Sequence, residues 1–189
     1  MSETTLQIPS SVTFEEAIHL TQELLEQIPL KQLTEEQIYT LVKDLVNNLN
    51  GARGFFVVYL TDEYSLDPSV YRAVISALKT SPEILSQLLT KNLAMSTAMA
   101  ITHTRNNDLQ MAQQSKNVQQ RTAQLIEDLQ LPNLFEELKK LHQTIENQEG
   151  SYQSFLDKWK YDAEQRQAIH QIVSKTIEGN PNENFASSS

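Results

Sequence analysis

Length, composition and charge exclude more than they identify. The chain has 189 residues, 15 Lys plus Arg against 24 Asp plus Glu, a formal net charge of −9, and no cysteine. Disulfides, thiolate zinc sites, cysteine nucleophiles and iron–sulfur ligation are therefore out; only four glycines and six prolines argue against a turn-rich β-protein and against phosphate-cradling loops.

Met1 to Ser11 carries no basic head and no apolar run, so no secretory signal is expected and the cytoplasm is the default location. The longest unbroken apolar stretch, Phe55 to Leu60, falls far short of the ~20 residues of a membrane helix. An acidic chain also lacks the concentrated basic face that nucleic acid or an anionic membrane demands. Neither is expected as a partner.

Helix punctuation is legible from the start. After a flexible leader over 1–12, Thr13 and Glu16 read as a capping box, followed by a stripe of Phe14, Ala17, Ile18, Thr21, Leu25 and Ile28 and a stop at Pro29. Thr34 and Gln37 repeat the device. Ile38, Leu41, Val42, Leu45, Val46 and Leu49 then recur with helical spacing, and Gly51 is expected to close that helix. The β-branched and aromatic run from Gly54 to Leu60 suggests a strand. No second strand of similar quality exists to pair with it, so a short buried helix over 53–61 is expected; a strand would need pairing across a dimer axis.

Asp67-Pro68 and Ser81-Pro82 each read as a cap with proline at the first helical position. From Pro82 to Leu131 no further proline or glycine appears. One straight helix over that stretch would run ~70 Å, too long for a domain about 40 Å across. The apolar phase predicts a break. Leu85, Leu88, Met95, Met99 and Thr102 share a face, and extending it by sevens reaches Leu109, two positions before Met111, where the next stripe starts. Two residues rotate a helix by ~200°, and Asn106-Asn107-Asp108 supplies a new cap at the slip, placing the break near 105–108.

Asn133 and Glu136 read as a capping pair for a helix ending at Gly150, and Ser151 as the cap of a last helix to about Glu178. Asp162 with Gln165 predicts a fresh start or kink near Tyr161. The polar stretch 179–189 reads as a disordered tail. The fold class is thus all-α, an antiparallel bundle of about six or seven helices, in a single domain over 13–178 with a possible subdivision into 13–80 and 82–178.

Chemical motifs are scarce. Glu16-x-x-His19 has the spacing of a di-iron bundle ligand pair, but no second such pair follows, so His19 reads as a surface residue. Met99 and His103, four apart, are weak candidates for holding a haem iron, with no attachment motif beside them. His142 and His170 flank apolar stripes and read as core-edge residues. No metal and no cofactor is expected. Nucleophile elbows, phosphate loops and dinucleotide fingerprints are absent from the sequence, which leans away from an enzyme. The first fifty residues hold two basic residues and no glycine-bearing turn, which argues against a DNA-reading helix pair.

Three functions fit. The leading expectation is a non-catalytic helical interaction or scaffold protein, with a protein partner or itself as a homodimer, through Met111, Val118, Leu125 and Leu129 on the second half of the 82–130 region. The alternative is a small-molecule sensor with an apolar cavity lined by Phe55, Phe56, Met95, Met99, Phe155 and Trp159. An enzyme of unrecognised type comes last.

Overall fold

Several helices begin where a side chain satisfies a backbone N–H group that a helix start leaves orphaned. In the computed structural model, which describes residues 6–180, Thr13 and Thr34 form reciprocal capping boxes with Glu16 and Gln37. They open α1 (Phe14–Gln27) and α2 (Glu35–Leu45). The expected termination at Gly51 is incorrect: α2 stops at Leu45, and the Asn48 side chain accepts the Gly51 N–H at 2.9 Å to start α3, Leu49–Thr61. Leu49, expected in the core, is consequently 55% exposed. The segment 54–60 is helical, as expected, and no strand occurs among the described residues. Next come α4 (Pro68–Leu78), with proline in its first turn, and α5 (Pro82–Arg105).

The expected break is present. Asn107 adopts a left-handed backbone (φ 58°), and Asp108 caps α6 (Leu109–Leu129) by accepting the Met111 N–H at 3.1 Å. The expected burial register of α5 needs correction. Leu89, Leu93, Ala94, Thr97 and Ala98 are buried, whereas Leu88 and Met95 are half-buried and Met99 is 37% exposed. α7 (Pro132–Asn147) starts on proline after Leu131, so Asn133 is not its cap, and Gln148 (φ 58°), not Gly150, takes the left-handed position after it. α8 (Gln153–Lys158) and α9 (Ala163–Glu178) are separate because Asp162 and Gln165 make a third capping box. The described residues therefore hold nine helices, close to the expected six or seven.

The chain divides into two compact units at Leu85–Ser86, inside the first turn of α5. In the first, α1 packs on α3 and α2 on α4. Close approach of α1 and α3 is possible because Gly54 has no side chain; an added Cβ there would stand 2.5 Å from Ala17 Cβ. Leu24, Ile38, Val42, Leu45, Phe55, Phe56, Val74 and Leu78 fill the interior. In the second unit α7 packs on α9, and Gln119 Nε2 of α6 donates to Thr97 Oγ1 of α5 at 2.7 Å, fixing an antiparallel hairpin about the 106–108 turn. Of the expected leader, residues 1–5 lie outside the described residues, while Leu6 and Val12 are buried. Of the expected tail, 181–189 likewise lie outside them, and Asn180 is buried.

Candidate functional site

Three features of the second unit bear on function: the hairpin of α5 and α6, the α7–α8 turn, and the face shared by α7 and α9. Along α6, burial fades toward the N-terminus. Leu125, Ile126 and Leu129 are buried, Val118 is half-buried, Met111 is 40% exposed and Leu109 is 70% exposed. Of the expected interface residues, then, Leu125 and Leu129 are spent inside the folded chain, and Met111 and Val118 keep accessible surface. Residues 109–120 contain a single charged side chain, Lys116, and five glutamines. Leu109 escaped the sequence reading because it fell in the slip between two stripes.

At the base of the hairpin, Arg105 closes α5 onto the start of α9. Its guanidinium pairs with Asp162 at 2.5 Å and with Glu164. Hydrogen bonding from Arg105 and from the Gln165 N–H holds the Asp162 carboxyl below its usual range. Gln165 Nε2, buried, donates to Thr102 Oγ1 at 2.9 Å and to the Ala98 carbonyl at 3.2 Å.

The α7–α8 turn folds back on α7. Tyr152 Oη donates to Glu137 Oε2 at 2.6 Å, and Lys140 Nζ donates to Glu137 Oε1 at 2.7 Å. Burial pushes the Glu137 carboxyl up, but the hydrogen bonds from Lys140 and Tyr152 and the charges of Lys140 and Lys91 outweigh it, so it titrates below the ordinary value. Burial and the Glu137 carboxylate together push the Tyr152 phenol far above its ordinary range.

On the third feature, His142 and Glu146 of α7 face His170 and Ser174 of α9. The two imidazoles stack with centroids 4.0 Å apart and planes at 28°. His142 Nδ1 lies 3.5 Å from Glu146 Oε2, and His170 Nε2 lies 3.2 Å from Glu146 Oε1. His142 Nε2 is 2.9 Å from Ser174 Oγ. Glu146 and His170 also line an open cleft of about 710 Å³ with Gln153, Arg166 and Gln167. In the sequence the histidines stand singly. Nothing local announces a pairing of residues 28 positions apart; only the antiparallel register of α7 and α9 makes it.

The expected cavity residues do not gather at this cleft. Phe55 and Phe56 are buried in the first unit, edge-to-face with each other at 5.1 Å, and Phe55 stacks on Tyr59 at 4.9 Å. Met95 is half-buried on α5 beside the exposed Met99; Phe155 is half-buried and meets Tyr152 and Tyr161 edge-on. Trp159 is 48% exposed. His103 is half-buried on the last turns of α5, and His19 is exposed on α1, where Glu16 is occupied by its capping box. No helix among the described residues is long and apolar enough to cross a membrane.

A family model described as "Uncharacterised conserved protein UCP020893" matches residues 13–176. No curated protein and no solved structure shows significant similarity. The matched span runs from the cap of α1 to the last turn of α9 and so takes in both units. The chain belongs to this family.

Proposed function

We propose that this chain is a non-catalytic helical interaction protein that associates with itself through the N-terminal half of α6. The observation that carries the reading is the pairing of exposed apolar side chains, Leu109 and Met111, with a 12-residue stretch holding one charge. Two copies of a chain of net charge −9 repel over most of their surface. A docking face is best placed where charge is least and where large apolar groups remain in water, since interface centres are depleted of charge. The glutamines around Leu109 and Met111 provide a polar rim able to hydrogen-bond its own copy across a two-fold axis.

The accessible apolar surface is small, so the association expected is weak, with a dissociation constant of about 1–100 μM rather than that of an obligate dimer. Sedimentation velocity over a concentration series tests this. The wild type should shift from monomer to dimer, and Leu109→Glu with Met111→Glu should remain monomeric at every concentration with an unchanged helical spectrum. A strictly monomeric wild type, or a dimer indifferent to both substitutions, removes the proposal.

A further inference from the structure

We infer that His142, Glu146 and His170 form a binding site for one divalent transition-metal cation of the zinc class, joining α7 to α9, a property separate from self-association at α6. The donor atoms of the three side chains all lie within 4.8 Å of one another. Two imidazoles and a carboxylate make a mixed N/O set that suits zinc, nickel or copper(II) and disfavours magnesium and calcium, which take oxygen cages.

The arrangement has the parts such a site needs. Four-residue spacing puts His142 and Glu146 on one face of α7, and the antiparallel α9 brings His170 opposite them. Ser174, one turn beyond His170, holds His142 Nε2 and leaves Nδ1 facing Glu146. That is an outer hydrogen bond of the kind that orients a ligating imidazole. The serine hydroxyl can donate or accept. When a cation occupies Nδ1, the His142 proton resides on Nε2 and is donated to Ser174 Oγ, so neutral His142 binds without losing a proton. His170 offers Nε2 directly. The cleft beside Glu146 and His170 gives the ion an entry path and room for a water in the fourth position.

Donor atoms in a tetrahedral zinc site stand about 3.4 Å apart. Glu146 already lies 3.2 Å and 3.5 Å from the two ring nitrogens. The remaining adjustment is an opening of the stacked rings toward the cation, and both histidines are partly exposed.

The test is calorimetric titration of tag-free full-length chain with zinc chloride, alongside thermal unfolding with and without zinc. Magnesium chloride is the control titrant. The wild type should bind one zinc saturably and gain thermal stability, and magnesium should do neither. His170→Ala and Glu146→Gln should each weaken zinc binding by at least about tenfold and abolish the thermal gain; Ser174→Ala, an orienting residue, should weaken it less. His19→Ala, on α1, should leave it unchanged. Circular dichroism of each variant without metal establishes that it is folded. Absence of saturable one-to-one binding by the wild type overturns the inference, as does undiminished affinity in both folded ligand variants, which would leave the cluster as a hydrogen-bonded clasp between helices.

Discussion

Gly54 stands so close to Ala17 that a methyl group placed on it would lie 2.5 Å from the Ala17 Cβ and 2.8 Å from the Phe14 carbonyl oxygen. The relationship sets how α1 and α3 pack, because real side chains do not approach to that distance. Helix propensity alone favours Gly54→Ala by about 1 kcal/mol. The backbone contact outweighs it: overpacking of this kind costs about 1–3 kcal/mol. Gly54→Ala should be net destabilising by chemical denaturation, and a stabilised variant would show that the two helices are free to move apart.

Glu137 predicts an acid-side sensitivity. Its carboxyl titrates below the ordinary value in the folded chain. Its contribution is therefore present at neutral pH, above the unfolded value of about 4.3, and is lost as pH falls through the lower folded value. Glu137→Gln should cost about 1–3 kcal/mol at pH 7, the worth of hydrogen bonds to a charged group, and the difference from wild type should shrink below about pH 4. Tyr152→Phe, which removes the 2.6 Å hydrogen bond, should shift the Glu137 titration upward toward the ordinary range, as read by NMR of the side-chain carboxyl.

Caps give a paired comparison. Thr34 accepts the Gln37 N–H, so Thr34→Ala should cost about 1 kcal/mol. Asn133 has the right residue type and the right neighbour at position 136, yet it lies inside α7, which begins on Pro132. Asn133→Ala should change stability by less than about 0.5 kcal/mol, as surface substitutions do. Equal losses in denaturant melts would return the cap to Asn133.

Leu45 is wholly buried at the end of α2. Truncation to Ala should cost about 2–5 kcal/mol through lost burial and the cavity left behind. A loss under about 1 kcal/mol in equilibrium unfolding would mean that the face of α2 carrying Ile38, Val42 and Leu45 is not core.

What the sequence revealed depended on whether the determining contact was local. Capping boxes at Thr13, Thr34 and Asp162 involve residues three apart; the first two read as helix starts, and the third read as a fresh start or kink inside one helix from Ser151 to Glu178, where the chain makes two. The break at 106–108 also read correctly, although the stripe that placed it ran through half-buried Leu88 and Met95 and exposed Met99 as well as buried Leu85. Leucines occur in adjacent pairs at Leu88-Leu89, so spacing admits two registers, and the interior of α5 is completed by Ala94, Thr97 and Ala98, residues too small or polar to signal a core. Gly51 looked like a terminator because its real constraint is tertiary. Any Cβ there would meet the Leu45 carbonyl and Val12. Left-handed turns at Asn107, Gln130 and Gln148 were hidden for the opposite reason, since none uses glycine. The candidate site shares this limit: His142 with His170 is a product of helix register, and exposure at Leu109 depends on where burial fades along α6.

The absence of native cysteine gives the most direct test of self-association. A single Gln110→Cys, at an exposed position between Leu109 and Met111, carries one spin label per chain. Pulsed dipolar spectroscopy then measures the distance between labels on two copies. A two-fold interface centred on this face places the labels near the axis, so the wild-type background should give a short, narrow distance distribution that disappears when Leu109 and Met111 become Glu. Signal decay no different from randomly dispersed monomers, at the highest concentration attainable, would contradict the account.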